Sequence, residues 1–281
     1  MKLSRKPIPI ILSKRVGSFI DKKDAFHKFT YAHVSRVLAI SSVIHKNVID
    51  TTPVRPDRVI TLYDSVDTEL FSPERVNRRQ ARQQFGYDES LIVVGFVGRF
   101  SPGKGHEELL EAAGTIRKKR ENVRFLVIGE ASYGEPEYER RIHSMAHSMG
   151  LDDVMTFAGF RKDMPEAMAA FDVLAFPSHA ESFGVALIEA MAMERAVVST
   201  DCDGVLDIVV DGQTGLYIHP RNSLELGNAL LRLIDDEGLR TAMGKAGRKR
   251  VLELFDQNRQ IERLEQVYHE VLRESTTKVT Q

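Results

Sequence analysis

Residues 91–129 read LIVVGFVGRFSPGKGHEELLEAAGTIRKKRENVRFLVIG, and the order of patterns in them decides the fold. Leu91 to Gly98 is a short apolar run closed by glycine, which predicts a buried strand. Glu107 to Lys119 carries the spacing of a helix, and Val123 to Gly129 predicts a second strand. A strand, a helix and a strand in succession require parallel pairing through a crossover.

The alternation continues downstream. Helices are predicted over Glu137 to Met149 and Met164 to Ala170, and strands over Val154 to Phe157 and Val173 to Phe176. Beyond a central helix come a strand at Ala196 to Ser199, a short helix near Val205 to Val210 and a further strand at Gly215 to Ile218. Helices at Ser223 to Asp235 and Leu239 to Leu254 follow. The fold class is therefore α/β, with a Rossmann-like, doubly wound parallel sheet. Ligands of such sheets bind beyond the carboxyl ends of the strands, where the loops after Gly98, Gly129, Phe157 and Phe176 gather.

Upstream, strands are predicted at Ile8 to Leu12, Val34 to Ile40 and Val59 to Leu62. Helices are predicted at Asp24 to Tyr31 and Val43 to Ile49, the latter capped by Ser41-Ser42. Gln257 to Arg273 is a helix with Ile261, Leu264, Val267, Tyr268 and Val271 on one face, and the polar tail from Glu274 is expected to fray.

The 281 residues are 42% hydrophobic and 28% charged with a net charge of -1. That balance fits a globular protein of one or two domains, with no basic excess to suggest nucleic acid. Cys202 is the single cysteine, so no intrachain disulfide forms and a reducing, cytoplasmic setting is expected. Lys2 to Leu12 places basic residues before apolar ones. Pro7 and Pro9 interrupt it, making a poor signal peptide and a better buried strand.

Two loops carry the chemistry. Phe176 to Glu189 reads FPSHAESFGVALIE: a strand runs through Pro177 into a polar loop and then a helix whose first turn contains Gly184. The glycine lets backbone approach a ligand, and unpaired amides at the helix start face an anion. Glu181 lies in the loop and Glu189 in the helix, about one and a half turns beyond Gly184. The second loop, Gly98-Arg99-Phe100-Ser101-Pro102-Gly103-Lys104-Gly105, nearly matches the phosphate loop of nucleotide hydrolases. Gly105, however, stands where that motif needs a hydroxyl for magnesium, which makes an NTPase a lesser alternative. His106 and His179 flank these loops and read as structural.

A Glu, seven residues and a second Glu, preceded by Pro177-Ser178 and containing Ser182-Phe183-Gly184, resembles the signature of retaining nucleotide-sugar glycosyltransferases. These are the GT-B type, built from two Rossmann-like domains (glycosyltransferase family 4-like, group 1). The resemblance implies that Glu181 holds the donor sugar and Glu189 the ribose. The amides of Phe183, Gly184 and Val185, beside Ser182, would meet the diphosphate. It also implies that Gly98, Arg99 and Lys104 contact the diphosphate, and that Gly159-Phe160-Arg161 forms the base loop. Arg99, Lys104 and Glu181 are thus the catalytic candidates. Glu130 follows Gly129 where relatives carry Gly-Asp-Gly, and Asp203-Gly204 to Asp207 lacks a glycine of the corresponding family segment. No cofactor or metal is implied: the nucleotide sugar is the substrate, its base UDP, GDP or ADP undecided, and Asp201-Cys202-Asp203 reads as a turn.

By the same resemblance, residues 1–63 are a remnant of an N-terminal acceptor-side domain. Residues 64–256 are the donor-binding domain, and 257–281 cross back to the N-terminal part. The crossing loop departs from the family at Asp64-Ser65, where Asn-Gly is common. Most of the acceptor side is expected to be absent, leaving strand edges open to a partner chain or a second copy. A nucleotide-sugar-binding module, or a shortened transferase needing a partner, is therefore the main alternative. The acceptor, a sugar or a lipid-linked or small molecule, stays open. So does peripheral contact of Arg117 to Arg120 and Arg248 to Arg250 with an anionic membrane, although solvated helix faces are the expected role of both clusters.

Overall fold

The computed structural model describes residues 8–132 and 134–277, so the part of the Lys2 to Leu12 stretch that precedes residue 8 and the last four residues of the tail lie outside the described residues. The chain divides into two compact units, one from residues 1–65 with 255–281 and one from 66–254.

In the first unit, β1 (Ile10–Lys14), β2 (Val34–Ala39) and β3 (Val59–Thr61) form a three-stranded parallel sheet in that order. The connecting helices are α1 (Ala25–Tyr31) and α2 (Ser42–Thr51). Asp24 caps α1 by accepting from the His27 amide, and Ser41 caps α2 by accepting from that of Ile44. The expected burial of the first strand needs correcting: Ile10 and Leu12 are exposed, while β2 carries the buried Val34, Val37, Leu38 and Ala39. Leu38 packs with two residues of the C-terminal helix, Val267 and Val271.

The second unit begins with α3 (Arg78–Gln83), which sequence patterning misses. It continues through β4 (Ile92–Val97), α4 (His106–Arg117), β5 (Val123–Ile128), α5 (Pro136–Ser148), β6 (Met155–Phe157), α6 (Met164–Ala169) and β7 (Val173–Phe176). Then follow α7 (Val185–Ala192), β8 (Ala196–Thr200), α8 (Val205–Ile208), β9 (Gly215–Ile218), α9 (Ser223–Asp235) and α10 (Glu237–Leu254). The strands lie in the order β6-β5-β4-β7-β8-β9, all parallel. The order reverses between β4 and β7, the topological switch point of a doubly wound sheet.

The side-chain period of two explains why these runs are almost continuously apolar. Val94, Phe96, Phe125, Val127, Val173, Ala175 and Val198 share one core with Leu109, Ala113 and Ile116 of α4 and Leu226 and Leu230 of α9. The intervening Val93, Leu126, Ile128, Leu174 and Val197 are equally buried. Both faces of the sheet are covered, as parallel pairing requires.

The C-terminal helix, α11 (Gln257–Thr277), continues past the point where fraying is expected. Its buried face also differs from expectation: Val267 and Val271 are covered, but Ile261 and Tyr268 are 43% and 46% exposed, and Gln260 is buried instead. The arginines Arg248 and Arg250 are not solvated either. Arg248 donates to the carbonyls of Phe71 and Ala192, and Arg250 to those of Asp207 and Ile208. These two cations close the carboxyl ends of α7 and α8, where the helix dipole favours positive charge. Arg117 and Arg120 remain exposed, in ion pairs with Asp153 and Asp235. No helix among the described residues is long and apolar enough to cross a membrane.

Candidate active site

Because β4 and β7 are neighbours, the loops after Val97 and Phe176 meet. The His179 amide donates to the Gly103 carbonyl at 2.8 Å. Gly105, at φ +85°, lies so close to the other loop that a β-carbon there would stand 2.3 Å from the Pro177 carbonyl oxygen. No side chain fits without moving backbone, so this contact fixes glycine at residue 105. Gly184 is the N-cap of α7, at φ +113°, rather than a residue of its first turn.

A cleft of about 460 Å³ opens at the carboxyl ends of β4 and β5. It gathers six of the residues singled out from sequence: Gly98, Arg99, Glu130, Phe160, Arg161 and Glu189. Val97, Ile128, Ala131 and Met164 supply apolar wall. Phe160 is exposed, an aromatic face available for stacking. The Arg99 guanidinium donates to Ser132 Oγ at 3.3 Å. Arg161 is more committed: it pairs with Asp163, donates to Gln84 and lies 5.1 Å from the Phe85 ring centroid.

Glu189 faces the cleft from α7, and burial pushes its carboxyl up from the usual 4.5 to about 7. The folded chain therefore holds a proton that the unfolded chain releases near pH 4.5. Stability from the neutral form is complete below that pH and is lost as pH rises through about 7. Glu189→Gln keeps the neutral form at every pH, so it is expected to match the parent at pH 4.5. At pH 8 it should be more stable by roughly 2 kcal/mol, allowing for partial solvent access. Denaturant titrations at the two pH values check this. Equal differences at both would mean that Glu189 ionises freely.

Lys104 and Glu181 do not line that cleft. They form an ion pair of their own, Lys104 Nζ to Glu181 Oε2 at 2.6 Å, bridging the same two loops. Glu181 is held by its backbone: its amide donates to Asp203 Oδ2 at 3.3 Å, and its carbonyl accepts from Gly204 at 2.9 Å. Ser182 and Val185 are at least partly accessible, whereas the Phe183 ring is buried in the core. Of Phe183, only backbone can serve a ligand. Asp203 has φ +45° and lies in a turn, and no cluster of metal-ligating side chains occurs among the described residues.

The histidines differ. The His106 ring lies 4.5 Å from the centroids of both Phe96 and Phe100, fully buried, and desolvation lowers its pKa to about 4. It stays neutral and packs. His179 Nε2 contacts Glu108 Oε1 at 2.7 Å, a link between the loop after β7 and α4 that no local sequence pattern announces.

Residues 77–250 match the family model described as glycosyl transferases group 1. The D-inositol 3-phosphate glycosyltransferase of Corynebacterium aurimucosum is 32% identical over 207 residues, 72% of this chain and 49% of that protein. The capsular polysaccharide biosynthesis glycosyltransferase CapM of Staphylococcus aureus is 30% identical over 250 residues, 86% of this chain and 63% of CapM. Among solved structures, Anabaena HepE in complex with UDP and glucose has a TM-score of 0.81 at 25% identity, covering 93% of this chain and 71% of that one. The chain spans about half the length of the first curated relatives it matches.

Proposed function

The chain belongs to the glycosyl transferases group 1 family, and we propose that it binds a nucleotide sugar at the switch-point loops and passes the sugar to an acceptor hydroxyl. The reading rests above all on the cleft in which Arg99, Glu130, Phe160 and Glu189 converge, with the Lys104–Glu181 pair in the adjoining loops. The base would lie against Phe160 and the loop after β6, with its ribose hydroxyls on Glu189. The diphosphate would lie against Arg99, Lys104 and the amides at the start of α7, and the sugar on Glu181. The similarity to HepE, which was solved with UDP and glucose, supports a nucleotide sugar as the ligand.

In the reaction, the bond from the sugar's anomeric carbon to the diphosphate oxygen breaks and one to the acceptor oxygen forms. The acceptor proton goes to the departing phosphate. Negative charge grows on the leaving group, and two fixed cations stabilise it as it develops, Arg99 through a fork and Lys104 as a point charge. They take the part a metal plays elsewhere. Attack from the face that the leaving group vacates gives retention of configuration.

Gly105 argues against the nucleotide hydrolase. The hydroxyl that holds magnesium there would need a β-carbon in space occupied by the Pro177 carbonyl. Calorimetric titration with UDP, GDP and ADP and their glucose conjugates, joined to a transfer and hydrolysis assay with and without EDTA, tests the proposal. Binding of one base and turnover insensitive to EDTA are expected. Magnesium-dependent turnover of ATP or GTP, or no nucleotide binding at all, would refute it.

A further inference from the structure

We propose that Glu181 competes with the diphosphate for Lys104, so that the site favours a nucleotide sugar over the bare nucleoside diphosphate and helps expel the latter after transfer. This rests on the nucleotide-sugar reading above. The observation behind it is the 2.6 Å pair between the two side chains assigned to different parts of the donor. With the site empty, each neutralises the other.

The two partners are unequally free. Lys104 ends a flexible four-carbon stem, whereas the carboxylate of Glu181 sits on a stem two methylenes long, rooted in a backbone held at its amide by Asp203 and at its carbonyl by Gly204. When a diphosphate arrives, Lys104 can swing to it on its longer stem, while the shorter Glu181 side chain stays rooted in a hydrogen-bonded loop backbone. Its carboxylate, on a side chain only 19% exposed, then loses its sole ion-pair partner among the described residues. An anion in that position needs a replacement donor.

A sugar on the β-phosphate supplies one, because its hydroxyls can donate to the carboxylate. A bare nucleoside diphosphate supplies none and brings an additional negative charge to the β-phosphate. Asp203, whose carboxylate accepts from the Glu181 amide, adds to the repulsion. The occupied site is thus fully paired only while the sugar is attached. Once the sugar has left, Glu181 can take Lys104 back.

The test is calorimetric titration of the full chain, and of Glu181→Gln, Lys104→Met and the double variant, with the nucleoside diphosphate and the glucose conjugate of whichever base binds. Glu181→Gln is expected to bind the bare diphosphate about tenfold more tightly, without a matching gain for the conjugate. In the Lys104→Met background that gain should disappear. Glu181→Asp, which draws the carboxylate back by one methylene, guards against a misfolded first variant and should shift affinity the same way. An unchanged or weakened affinity of Glu181→Gln for the diphosphate would overturn the competition and leave the donor-site reading standing, as would an equal gain for both ligands. Failure of every variant and the parent to bind any nucleotide would overturn both.

Discussion

Lys104→Met is expected to lower the rate of sugar release from the nucleotide sugar by roughly 10²- to 10³-fold, the loss typical when one preorganised charge is removed from a developing anion. Lys104 is the last residue before Gly105, whose close approach to Pro177 fixes the end of the loop. The stem of Lys104 therefore starts from a fixed backbone point within the two-loop cluster, and its ammonium reaches Glu181 from there. Methionine keeps the length and apolar stem and removes the charge. Lys104→Arg should restore only part of the rate, because a planar fork does not occupy the place of a compact ammonium. Initial rates of nucleoside diphosphate release, with thermal melts to confirm folding, give the result. A loss of less than tenfold would remove Lys104 from the chemistry and leave Arg99 to carry the charge alone.

The contrast with Glu189→Gln is informative. There the change acts on folding through desolvation, with its size set by pH; here, in the proposed transfer, it acts on a charge that the reaction creates. A variant at Glu189 that altered turnover as strongly as one at Lys104 would mean that the ribose contact tightens during the reaction rather than merely holding the donor.

What could be read from sequence followed the range of the forces involved. Strands such as β4 and helices such as α9, found at the predicted Ser223–Asp235, are local apolar patterns, legible from their period. So was the meeting of the loops after Gly98 and Phe176, because strands separated by helices place their carboxyl ends on one edge. Pairings across the chain were not legible. Lys104 and Glu181 are 77 residues apart, and no local pattern distinguishes an acid that waits for a sugar from one that already holds a lysine. Arg248 and Arg250 read as a solvated basic run in the sequence, and only the folded chain brings them to the carboxyl ends of α7 and α8. On α11 the predicted stripe was almost right, but its edge failed. Ile261 and Tyr268 have the correct residue type on the wrong side of a boundary that only the packed sheet defines.

The helix α3 is the sharpest miss, and it leads to the largest expected loss of stability. Its sequence, RRQARQ, has almost no apolar content to announce it. It is held by Asp172, at the start of β7, which accepts from Arg78 at 2.5 Å, from Arg82 at 3.1 Å and from the Val93 amide at 2.8 Å. Arg82 is only 2% exposed and also donates to the Leu91 carbonyl. Nearby, Arg195 is buried deeply enough that desolvation lowers its pKa to about 10; Arg78 pushes it further down and Asp172 opposes the fall. Asp172→Ala would leave three guanidiniums around a site without its most deeply buried carboxylate. Breaking a buried pair from one side typically costs about 3–5 kcal/mol, a large share of a domain's roughly 5–15 kcal/mol. Urea titration should show that loss as a lower midpoint. Because Asp172 stands at the opposite end of the strand from the Pro177 loop, nucleotide affinity measured well below the transition should be unchanged. A loss below about 1 kcal/mol would mean that water reaches the guanidiniums once the acid is gone, and that α3 is secured by the bonds of Arg78 and Arg82 to the Phe171 and Leu91 carbonyls instead.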